Sequence, residues 1–242
     1  MRTCYCCEGT IPALKLSVML KKLDIWLAIM GISLGVSLLY LNGGWSSFRS
    51  SQPMSFTEYY LINDVALLVI PLIVITVCGL NTSDYGLRSC SWKHIITAGV
   101  IGLLFFPVVL VTAKAPEFQA YYLQVMRQSG AITDVPVEIS YFGFIRHQII
   151  LITYMFAWEW FFRGFLLMSV QRMSGSVVAV LVQAVLFTIM HLGKPTIEVV
   201  SSFFGAVILG MWALRSRSIL PCFTVHALLT SLNDVAVLIH SR

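Results

Sequence analysis

Residues 153–167 read TYMFAWEWFFRGFLL, and the fold is decided by how this stretch is read. It is apolar or aromatic almost throughout, yet it holds Glu159 and Arg163 four residues apart. On a helix, positions i and i+4 share a face, and Glu placed before Arg is the favoured order of an ion pair. A helix that is hydrophobic on every side belongs in a large core or in a bilayer. Composition chooses between the two. Of 242 residues, 58% are hydrophobic and 11% charged, with a mean hydropathy of +0.84. A soluble domain carries roughly 45–50% apolar and about 25% charged residues. The chain therefore reads as a membrane protein, which excludes an ordinary cytosolic enzyme, a disordered chain and a nucleic-acid module. The lipid bilayer is its first expected partner, and no nucleic acid is expected.

Seven apolar segments extend outward from this stretch, at about 25–42, 59–80, 94–113, 143–170, 176–192, 197–214 and 219–240. A bilayer span needs about 20 apolar residues. Lipid admits only helices or closed barrels, and runs of this length choose helices. The expected fold is all-α, a polytopic membrane helix bundle with about seven transmembrane helices. Residues 1–140 supply the N-terminal helices and an interfacial loop, and residues 141–242 form a catalytic-type membrane half. Within the long connection from Lys114 to Ser140, APEFQAYYLQVMRQSGA predicts an interfacial amphipathic helix.

Net charge is +5, and the basic residues lie mostly between apolar runs. With the N-terminus inside, nine Lys and Arg fall on the inner connections and five on the outer ones, so an integral, multi-pass cell-membrane protein with a cytoplasmic N-terminus is expected. Asp64, one turn into the second segment, reads as a carboxylate that reaches back to water. Cys4, Cys6 and Cys7 read as a reduced tail, because no second cluster with zinc spacing follows.

Polar residues inside the later segments carry the functional signal. Burying Glu159 or Arg163 alone costs several kcal/mol, so each exists because of the other or because of a polar cavity. A tight turn near residues 171–175 folds the fifth segment back, which sets His191 within about one turn of Glu159 in depth. In the seventh segment His226, Thr230 and Asn233 lie at i, i+4 and i+7 and share one stripe. One carboxylate and two imidazoles can hold and deprotonate a water while donating to an oxyanion. The same set can bind a divalent metal such as zinc, but the His-Glu-x-x-His spacing is absent, so no metal and no other cofactor is favoured. A proton or transport pathway, and haem held by two of His147, His191, His226 and His240, are weaker readings of the same residues.

Three blocks give the second half a family resemblance. They are W-E-W-F-F-R at 158–163, F-T-I-M-H at 187–191, and FFGAVILGMWALRSRSILPCFTVHALL at 203–229. In order and spacing they resemble the CPBP family of intramembrane glutamic endopeptidases, which includes the CAAX prenyl proteases and bacteriocin-processing and immunity relatives. The resemblance implies cleavage of a membrane-associated protein or peptide substrate. It implies that Glu159 and His191 activate water, that His226 stabilises the oxyanion, and that Arg163 orients the carboxylate or holds the helix. Two positions depart from the family pattern. Trp158 stands where the family has its first Glu, and Thr230 where it has Asn, with Asn233 a turn further on. Two readings stay open: a protease that uses the single Glu159, and a catalytically silent scaffold or immunity-type protein with the same fold.

Overall fold

The computed structural model describes residues 13–41, 55–133 and 137–241; the cysteines of the N-terminal CYCC lie outside them. Among the described residues the chain is helical, with one isolated bridge between Ile132 and Ile139. The helices are α1 (Ala13–Leu41), α2 (Phe56–Val77), α3 (Trp92–Thr112), α4 (Pro116–Gln128), α5 (Tyr141–Ser174), α6 (Ser176–Ile189), α7 (Thr196–Ser216) and α8 (Leu220–His240). Six are long and apolar enough to cross a membrane. The other apolar segment becomes α6, whose 14 residues rise about 21 Å and fall short of a bilayer core of about 30 Å. A polytopic helical bundle is the architecture, with six helices among the described residues long and apolar enough to span.

Local chemistry sets the helix ends. Ser55 and Glu58 form a reciprocal capping box at the start of α2. Pro116 opens α4, where its missing N–H costs nothing. Ser140 Oγ accepts from Gly143 N–H at the start of α5. Gly175, at φ 86°, makes the turn between α5 and α6 that a side chain would strain. Pro71 would clash with the carbonyl four residues back in a regular helix. The chain relieves this with a π turn at Val65–Val69, in which Ile70 N–H bonds to the Val65 carbonyl.

α5 is the central element. Its apolar window is 72% buried, against 11% for α3, which lies mostly against lipid. Trp160, Phe161, Phe162, Phe165 and Leu166 on α5 are fully buried. Outward-facing Val77, Leu104, Phe142 and Val177 are exposed, as a lipid-facing surface requires. A second π segment, Trp160–Leu166, begins directly after Glu159 and contains Arg163. Such single π turns inside helices occur frequently at functional sites. Gly164 within it lies so close to Tyr85 that a Cβ would collide with the Tyr85 backbone oxygen.

Candidate active site

Glu159 and Arg163 are both fully buried, with Oε1 and Nη1 3.2 Å apart. The guanidinium lies 4.1 Å over the Phe187 ring of α6 and makes no hydrogen bond. Its charge is balanced by the carboxylate and the ring face. The same Oε1 accepts from His226 Nδ1 at 2.7 Å, while Oε2 is buried without a partner. A carboxylate acceptor puts the proton on Nδ1 and leaves the His226 Nε2 lone pair free.

His191 stands in the turn after α6, 5% exposed, and its Nδ1 donates to the Phe187 carbonyl at 2.8 Å. Its Nε2 is therefore also an acceptor. Phe187 packs between the two imidazoles, at ring-centroid distances of 4.5 Å from His191 and 6.0 Å from His226. Thus the imidazole on the carboxylate is His226, and His191 is bonded to its own helix.

A cavity of about 210 Å³ opens beside this cluster. Trp158, His191, His226 and Thr230 line it, and Glu159 does not. The carboxylate reaches the cavity through His226, whose side chain is 19% exposed. Trp158 makes wall: its ring stands edge-on to His191 at 5.4 Å and to Phe187 at 5.3 Å.

On α8 the cavity follows His226, Thr230 and Asp234. Asn233, expected on that stripe, is 8% exposed and outside the lining. The i, i+4, i+8 ridge advances about 40° per step, and the cavity bends with that ridge. Asp234 is 1% exposed and accepts from His147 Nε2 at 3.0 Å and Gln148 Nε2 at 2.7 Å. Beyond it, Lys194 bonds Glu198 at 2.6 Å, and Tyr122 of α4 donates to the same carboxylate. Desolvation, then the Glu198 charge, holds the Tyr122 phenol well above its ordinary value, so it remains a donor. Sequence reasoning passed over Asp234, Glu198 and Tyr122. The signals were there, in an acid inside the apolar run LNDVAVL, a Lys–Glu pair at i and i+4, and a tyrosine on the interfacial helix.

Asp64 is half-buried on α2 and outside the cavity lining. His240 Nε2 bonds the Leu110 carbonyl. Among the described residues, no three His, Cys, Asp or Glu side chains converge in a way that could hold a metal ion.

Fold and cavity together define a polytopic helical membrane protein with a buried carboxylate–imidazole centre. Residues 142–232 match the family model described as type II CAAX prenyl endopeptidase Rce1-like, a protease family within CPBP. The matched stretch contains Trp158, Glu159, Arg163, His191, His226 and Thr230. No curated protein and no solved structure matches the chain.

Proposed function

We propose that the protein is an intramembrane endopeptidase that hydrolyses a peptide bond of a membrane-associated protein or peptide. One observation carries this reading. A fully buried carboxylate, Glu159, holds His226 at 2.7 Å, and His226 lines a cavity together with His191 and Thr230.

In this mechanism the Glu159 carboxylate fixes the His226 tautomer and orients the ring. His226 Nε2 takes a proton from water as the water oxygen attacks the scissile carbonyl. The Thr230 hydroxyl donates to the developing oxyanion, and His191 Nε2 orients the water. The His226 imidazolium, stabilised by Glu159, then passes its proton to the leaving amine. This gives the base to His226, whereas the family resemblance allots water activation to Glu159 with His191.

A second reading, a silent scaffold that holds a partner segment, is favoured by Trp158 standing in the cavity wall where the family has a carboxylate. The deciding experiment offers membrane-tethered peptides to the reconstituted parent and to folded Glu159→Gln, His191→Ala and His226→Ala variants. Cleavage by the parent and by none of the variants supports the peptidase. Full activity in Glu159→Gln defeats it, and a folded parent that binds peptides without cutting any supports the scaffold. We place the N-terminus in the cytoplasm. Labelling of Cys90 by a membrane-impermeant thiol reagent in inverted vesicles, and not in intact cells, checks this orientation.

A further inference from the structure

The cavity continues past the imidazoles to Asp234, and the charges around it do not balance. Lys194 and Glu198 neutralise each other at 2.6 Å, and Arg163 and Glu159 do so behind the wall. His191 and His226 each present a bare Nε2. Among the described residues, the single ion-pair partner of Asp234 is His147. That ring is fully buried against Phe56 and Phe144, and its Nδ1 has no hydrogen-bond partner. Protonating it would bury an unsatisfied N–H. His147 and Gln148 both donate to Asp234, and neither is a permanent cation. Both of these donors are on Oδ2, and Asp234 lines the cavity.

The surrounding wall is aromatic. Tyr60 meets Tyr59 edge-on at 5.1 Å and Tyr154 at 4.7 Å, and Tyr154 meets Trp158 at 5.5 Å. All four line the cavity. A buried carboxylate among π-rich rings is a site for an organic cation.

We infer that Asp234 and its tyrosine wall bind the cationic side chain of a partner peptide, a lysine ammonium or an arginine guanidinium. Its place relative to the scissile bond rests on the peptidase reading; the binding does not. Asp234 is eight residues, about 12 Å, along α8 from His226. An extended peptide advances about 3.3 Å per residue, so the cation falls three to four residues from the cut.

The test is titration calorimetry on the full chain in phosphatidylcholine nanodiscs, with n-butylammonium and the isosteric neutral 1-butanol as probes. We expect saturable n-butylammonium binding at least about tenfold tighter than 1-butanol, with the preference lost in an Asp234→Asn variant of unchanged melting temperature. Equal binding of the two probes by the parent overturns the inference, and so does a preference that survives Asp234→Asn and disappears in Glu198→Gln. If Asp234→Asn does not fold, the parent's discrimination between the probes decides. A parallel arm uses a capped Leu-Leu-Ala-Lys-Leu peptide and its norleucine counterpart. Tighter binding of the lysine peptide than of its norleucine counterpart sustains the Asp234 site whatever the outcome of the cleavage assay. Equal binding of the two peptides overturns the Asp234 site and leaves the peptidase reading to the cleavage assay.

Discussion

Arg163→Met removes a guanidinium and keeps most of the volume of its stem. Arg163 and Glu159 are both fully buried and 3.2 Å apart. Two unit charges at that separation attract by about 5 kcal/mol at an effective dielectric of about 20. The single variant does not lose all of this, because His226 still donates to the orphaned carboxylate at 2.7 Å. Removing one partner of a buried pair costs about 3–5 kcal/mol, whereas replacing both by packed apolar groups is often neutral. We therefore expect Arg163→Met to destabilise by about 3 kcal/mol or more, and the Glu159→Leu/Arg163→Met double variant to return to within about 1 kcal/mol of the parent. The coupling energy is then at least about 2 kcal/mol, well above the roughly 0.6 kcal/mol of an average interhelical hydrogen bond in a membrane. The assay is reversible unfolding in mixed micelles by SDS titration, followed by far-UV circular dichroism. An Arg163→Met variant as stable as the parent, or a double variant as unstable as the sum of the singles, would refute the reasoning.

The site and its frame support three further predictions. His226→Ala lowers cleavage about 10²–10⁴-fold, the usual worth of a general base, with stability changed far less; a loss of folding in step with activity would make the residue structural. Trp158→Ala, which empties the wall against Phe162, Phe187 and His191, costs about 3–5 kcal/mol in the same SDS titration, and no cost would mean that the ring is not packed there. Tyr122→Phe removes the hydrogen bond to Glu198 and speeds amide exchange across Pro116–Gln128 by about tenfold, while unchanged exchange would show that α4 is held by its apolar face alone.

Much of the membrane frame was legible because hydropathy is a local property. The segment at 143–170 became the helix Tyr141–Ser174, the one at 219–240 became Leu220–His240, and the interfacial stretch became Pro116–Gln128. The 176–192 segment was apolar enough but ended as a helix of 14 residues. Its end is set by the turn that carries His191, which hydropathy does not register. Glu159, Arg163, His191 and His226 stood out as polar residues in lipid-grade sequence, since their burial demands partners.

The pairing of those residues depends on rotation about helix axes. Helical wheels drawn at 100° per residue take no account of the π segment Trp160–Leu166, which changes the phase of α5 at Glu159. Nor do they show that α8 presents Asp234, and not Asn233, along the cavity ridge.

By itself, the sequence determined that the chain is a helical membrane protein and which few residues are too polar to lie idle in it. Transfer free energy depends on residue type and run length alone, so both can be read one segment at a time. Only the tertiary structure decided that the carboxylate holds His226, that Trp158 walls the cavity and that Asp234 ends it. Those contacts join helices tens of residues apart, and they depend on angles that only packing can set.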